Sequence, residues 1–133
     1  MSGPFVLTKY GIAREVPKKT PGAYILGGVR LKPNYEGAQA VGRAETDLAA
    51  VLQSQIGLYE AFLFQPAGSA EDAFRLECEL YHRLDRPDLK HPQRPSGTDW
   101  RCPICGRAGD EDPPDDSTGP SKAEESGSPA RFP

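Results

Sequence analysis

Two short stretches hold residue types able to do chemistry. The first, Ala73 to His82 (AFRLECELYH), puts two carboxylates, a thiol and an imidazole within six consecutive positions, Glu77 to His82. The second, Cys102-Pro103-Ile104-Cys105-Gly106, is a CPxCG turn. Two thiolates on a tight turn are the usual half of a tetrahedral zinc site, with Zn–S bonds of about 2.3 Å. Two more ligands are required, and Cys78, His82 and His91 are the side chains that offer them. The spacing favours Cys78 and His82 with Cys102 and Cys105, and His91 stands in reserve for Cys78 or His82. The bland alternative makes Cys78 a small core residue and His82 a surface one.

Helical geometry separates the chemistry of the first stretch into edges. At about 100° per residue, Cys78 and His82 lie about 40° apart on one edge, and Glu77 sits with Tyr81 on an edge about 100° away. Glu79 falls on the far side from Glu77. One helix can thus present a carboxylate to one site and a thiol–imidazole pair to another.

The elements that must position these residues follow from pattern. Gly22 to Leu26 (GAYIL) is a β-favouring run closed by Gly27-Gly28, and a returning strand lies within Val29 to Arg43. Either Gly27-Gly28 or Lys32-Pro33-Asn34-Tyr35 can supply the turn, since Pro suits the second turn position. Ala44 to Ile56 has Leu48, Val51, Leu52 and Ile56 at helical spacing, stopped by Gly57. Tyr59 to Gln65 reads as a strand ended by Pro66. Ser69 then caps a second helix, with Asp72 three positions on, that runs to about Leu84 before Pro87. The fold class is α+β, a small domain ordered strand–strand–helix–strand–helix.

Four regions result. Residues 1–20 form an N-terminal lead-in, where Phe5 to Leu7 offers an edge strand; 21–90 are the domain; 91–107 are an arm running from His91-Pro92 into the CPxCG turn; 108–133 are an acidic tail. Beyond position 107 no aliphatic residue is larger than Ala, so this segment cannot offset the entropy of ordering and is expected to be disordered. The 14 Gly and 14 Pro of the 133 residues include many there. The tail also supplies the acidity: the net charge is −3, yet residues 1–107 hold 14 basic against 12 acidic side chains. A mildly basic folded part permits nucleic-acid binding without indicating it. Three cysteines make poor material for a disulfide framework and better material for a metal knuckle in a reducing compartment. No apolar run has the length of a signal peptide core or membrane span, so no membrane partner is expected and the expected location is cytoplasmic.

With these elements placed, the residues resemble the GIY-YIG nuclease family. Pro21-Gly22-Ala23-Tyr24 matches the first half-motif, and Ala73-Phe74-Arg75-Leu76-Glu77 the late helix with its glutamate. A subset of such domains also looks to end in an HP…RP-x-G-x-x-W-x-CPxCG arm, reproduced by His91-Pro92, Arg94-Pro95, Gly97, Trp100 and Cys102 to Gly106. The resemblance covers roughly residues 20–90 plus this arm. It implies hydrolysis of DNA phosphodiester bonds by in-line attack assisted by Mg²⁺, with Tyr24, Tyr35, Arg43 and Glu77 as the catalytic residues and Glu77 as the Mg²⁺ ligand. It also implies a structural Zn²⁺ that staples the arm to the domain.

The second half-motif fits two registers. In one it is Tyr35-Glu36-Gly37, with Arg43 eight positions later, and all the parts are present. In the other it is Ala40-Val41-Gly42-Arg43, which follows from a Lys32–Tyr35 turn but replaces the second tyrosine and the helix arginine with alanines. Turn chemistry favours the second. The asparagine that members often carry after the second helix is also absent from Arg86-Pro87-Asp88-Leu89-Lys90. Two functions follow: a divergent, impaired endonuclease, or a catalytically inactive, zinc-stabilised nucleic-acid-binding module with Arg83, Arg86, Lys90, Arg94, Arg101 and Arg107 near the phosphates.

Overall fold

The computed structural model describes residues 1–106, so Arg107 and the acidic tail at 108–133 lie outside the described residues. Seven elements follow in order: β1 (Ser2–Val6), α1 (Lys9–Glu15), β2 (Gly22–Gly27), β3 (Ala38–Ala44), α2 (Leu48–Gln53), β4 (Ala61–Pro66) and α3 (Ala70–Leu84). The strands form one antiparallel sheet in the order β1-β4-β2-β3. The architecture is therefore mixed α+β, and the expected strand–strand–helix–strand–helix succession is present as β2 to α3. Within residues 1–20, β1 adds an edge strand beside β4, with Phe5 opposite Phe62.

Helix α1 has no counterpart among the elements that the sequence pattern predicts. It is seven residues long, carries a Gly at its third position and buries one side chain, Ile12, so it shows no periodic stripe. Thr8 caps it by accepting from the Gly11 N–H at 3.0 Å.

The sheet is covered on both faces, which explains why the central strand β2 is buried at all six positions. Alternation sends Tyr24 and Leu26 to one face, where they meet Ile12, Leu48, Leu52, Phe62 and Phe64 beneath α1 and α2. Ala23 and Ile25 go to the other, where Leu63 and Leu80 pack beneath α3. Helix α3 lies across β2 and β3, which brings its Glu77 edge near the end of the hairpin.

The hairpin register is decided by its turns. The Tyr35 N–H donates to the Lys32 carbonyl at 2.9 Å, so the Lys32-Pro33-Asn34-Tyr35 turn forms. A second turn at Gly28–Leu31 precedes it, closed by a 3.1 Å bond from the Leu31 N–H. Together they place Gly42 opposite Tyr24 and Arg43 opposite Ala23. Strand β3 thereby holds Ala44, opposite Gly22, so the following helix begins only at Leu48, capped by Asp47. Helix α3 starts as expected: the Ser69 Oγ accepts from the Asp72 N–H at 3.1 Å. It ends at Asp85 in a left-handed conformation, two residues before Pro87.

Candidate functional site

Three of the expected catalytic side chains come together. Tyr24 from β2, Arg43 from β3 and Glu77 from α3 line one small open pocket of about 440 Å³ with Gly42, Ala44, Glu45 and Val51. Gly42 makes the meeting possible, because a Cβ at that position would land on the Tyr24 ring. The ring crosses over the bare backbone of β3, an edge strand, toward side chains that leave from the opposite face.

Arg43 is the hub. Its Nη1 donates to Glu77 Oε1 at 2.8 Å, its Nη2 to Glu45 Oε2 at 2.9 Å and to the Gln93 carbonyl at 2.7 Å, and its Nε to Glu45 at 3.3 Å. The guanidinium carbon lies 5.1 Å from the Phe74 ring centre, within cation–π range. The side chains of Arg43 and Glu77 are 13% and 11% exposed, so their ion pair is shielded from solvent. Burial raises the Glu77 pKa above the ordinary carboxylate value, against the hydrogen bond and charge of Arg43. Burial pulls Arg43 down, but Glu77 and Glu45 together hold it above its ordinary value. The Tyr24 phenol is pushed up, by burial first and then by the charge of Glu77 and by Tyr59. In this arrangement the phenol keeps its proton.

Tyr35 does not join them. It sits in the turn at φ +75°, lines a different hollow with Pro33, Asn34 and Arg83, and its hydroxyl accepts from Arg83 Nη1 at 3.4 Å. The reason is the hairpin register, which keeps Tyr35 in the turn and puts Ala40 on β3 opposite Leu26. Glu45 and the Gln93 carbonyl are the partners that sequence reasoning missed. Glu45 carried a signal, since i, i+2 residues at a strand end share a side; the Gln93 carbonyl carried none.

The second edge of α3 faces a different group. The ligand atoms of His82, His91, Cys102 and Cys105 all lie within 4.8 Å of one another. Cys78 is not a member: the expected Cys78–His82 pair is corrected to His82 with His91. Cys78 is fully buried against Phe74 and Cys102, and burial pushes its thiol pKa up. The CPxCG turn has knuckle geometry. The Ile104 N–H donates to Cys102 Sγ at 3.4 Å, and the Gly106 N–H to the Cys102 carbonyl at 2.9 Å with Gly106 at φ +76°.

The donor set suits a metal. His91 is nearly fully buried, and its Nδ1 lies 2.9 Å from the Pro92 carbonyl. A carbonyl can only accept, so Nδ1 carries the proton and Nε2 presents its lone pair, 3.3 Å from Cys105 Sγ. That is the outer hydrogen bond that orients metal-bound imidazoles. Two thiols and two imidazoles within this span could hold a metal ion, and the chemistry matches a closed tetrahedral Zn²⁺ site.

The Glu77 side fits Mg²⁺ poorly. Its carboxylate is engaged by Arg43, and so is Glu45, whereas Mg²⁺ needs free oxygen ligands in near-octahedral geometry. Three basic residues in and beside the arm are also occupied: Arg86 bonds Asp88 and the Ala38 carbonyl, Arg94 the Trp100 carbonyl, and Arg101 the Gly106 carbonyl. Among the described residues no helix is long and apolar enough to cross a membrane. No family model, no curated protein and no solved structure matches the chain.

Proposed function

We propose that the chain is a divergent GIY-YIG-like domain directed at the phosphodiester backbone of DNA, an endonuclease whose site rests in an ion-paired form, with a zinc-held arm. The observation that carries this reading is the convergence of Tyr24, Arg43 and Glu77, from three separate elements, on one pocket. A DNA phosphate offers Arg43 the bidentate partner that its planar fork favours. A phosphate that takes the guanidinium releases the Glu77 carboxylate beside the Tyr24 hydroxyl, so binding and unmasking of the carboxylate become one event. Tyr24 then lies next to the reacting phosphate as the sole family-type hydroxyl. The resting residues do not fit Mg²⁺, because Arg43 already engages both carboxylates. Zn²⁺ at His82, His91, Cys102 and Cys105 is structural here, and a reducing, cytoplasmic setting suits its thiols.

A second reading has its own support. Each donor-bearing nitrogen of Arg43 is already engaged, and Glu77 is buried and neutralised. These features favour a catalytically silent module that keeps the scaffold and binds nucleic acid. Incubating the full chain with branched and linear DNA, with Mg²⁺ or Mn²⁺, separates the two. Cleavage that is lost in Glu77→Ala supports the nuclease; retention of DNA without cleavage by both proteins supports the module. No cleavage and no binding sinks both.

A further inference from the structure

We propose that the arm from His91 to Cys102 is a strap whose metal-held ends fix the Arg43 guanidinium in place. On this account the metal group positions a side chain of the other site as well as stabilising the fold. The proposal rests on the reading of His82, His91, Cys102 and Cys105 as a metal centre.

Both ends of the strap carry metal donors: His91 at its start, Cys102 and Cys105 at its finish. Its middle reaches the other site by two routes. Two residues after His91, the Gln93 carbonyl accepts from Arg43 Nη2 at 2.7 Å, the shortest bond that Arg43 makes. Two residues before Cys102, the Trp100 ring packs on Phe74 at 6.0 Å, and Phe74 carries the guanidinium on its own ring at 5.1 Å. Arg94 Nη1 to the Trp100 carbonyl, 3.4 Å, ties the two routes together. Arg43 is therefore gripped from one side by residues adjacent to metal donors and from the other by Glu77 and Glu45.

The ends of the strap are buried, His91 against Tyr81 and His82 and Cys102 against Phe74 and Cys78, while its middle is more exposed. Residues 91–102 form no helix or strand. Their internal bonds are few, such as the Thr98 N–H and hydroxyl to the Pro95 carbonyl. Pro92 and Pro95 lack amide donors, so the backbone cannot pair with β3 along its length. A segment of this kind is ordered by what fastens its ends, and a metal that binds only the folded form stabilises that form by mass action. Releasing the metal removes the Gln93 carbonyl and the Trp100 support from Arg43 together. The coupling runs through named contacts and one element with two arrangements, docked and released.

Trp100 is the single tryptophan of the chain, so its fluorescence reports on the strap directly. The test uses the full chain loaded with zinc, then stripped with a chelator, then reloaded. Trp100 emission is read beside the guanidinium Nη resonances of Arg43, assigned by their loss in Arg43→Lys. In the loaded protein, Arg43 is expected to show distinct Nη signals, as a guanidinium with blocked rotation does. Stripping should shift Trp100 emission to the red and shift and broaden the Arg43 Nη2 signals, which lose the Gln93 carbonyl while Glu45 and Glu77 remain; zinc should restore both. Arg43 signals that stay unchanged while Trp100 reddens would overturn the strap. If stripping melts the protein, Cys105→Ser, which frees one end of the strap alone, takes its place: lost zinc with altered Arg43 signals supports the proposal, and lost zinc with unchanged signals refutes it. A chain that takes up no zinc, measured first by metal analysis, overturns the metal reading and the strap with it.

Discussion

Replacing Arg43 or Glu77 by alanine, singly and together, measures the ion pair at the centre of the pocket. The charges meet at 2.8 Å with side chains little more than a tenth exposed. With charge centres about 4 Å apart and an effective dielectric of about 20, the gross attraction is about 4 kcal/mol. Desolvation of both groups offsets part of it, which leaves a coupling of about 2 kcal/mol. The single variants should be unequal. In Glu77→Ala, Arg43 keeps Glu45 and the Gln93 carbonyl, so the cost is about 2 kcal/mol. In Arg43→Ala, Glu77 loses the one ion-pair partner it has among the described residues and stays buried, at a cost of about 3–4 kcal/mol.

The sign with pH follows from burial. Glu77 is already raised above the ordinary value of 4.5, and loss of Arg43 removes what opposes that rise. Between 4.5 and the folded value, the folded state holds a proton that the unfolded state has released, so stability falls as pH rises. The Arg43→Ala penalty should therefore be larger at about pH 7.5 than at about pH 4.5. Urea unfolding of the zinc-loaded proteins is the assay. Single-variant costs that add to within about 0.5 kcal/mol of the double variant would refute the pair as an energetic unit.

Metal content distinguishes the ligands: His91→Ala and Cys105→Ala should lose bound zinc, whereas Cys78→Ala should keep one zinc per chain, and zinc lost in Cys78→Ala would restore that thiol as a ligand. Gly42→Ala should cost about 1–3 kcal/mol in unfolding free energy, because the new methyl meets the Tyr24 ring. Gly28→Ala is its control: the methyl there meets nothing closer than 3.8 Å and should change stability by under about 0.5 kcal/mol. Equal costs at the two glycines would refute the Tyr24–Gly42 packing.

Residue order by itself determined what short-range rules govern. A proline in the second turn position set the Lys32–Tyr35 turn, and with it the strand register that puts Gly42 beside Tyr24. Ser69 set the start of α3, and 100° per residue sent Glu77 and His82 to different edges of it. The CPxCG spacing was enough to mark two thiols of the group that could hold a metal ion. Tertiary structure decided the rest. Helix α1 is too short and too poor in apolar residues to show a period, and it forms because Ile12 finds the core under β2. The choice of His91 over Cys78 depended on where an aperiodic, proline-rich arm crosses α3, which no local spacing encodes. The closing of Arg43 between Glu77, Glu45 and the Gln93 carbonyl likewise joins positions 34 and 50 residues apart. Charge partners at that separation are chosen by the packed chain, since only packing brings them within reach and removes the water that would otherwise screen them.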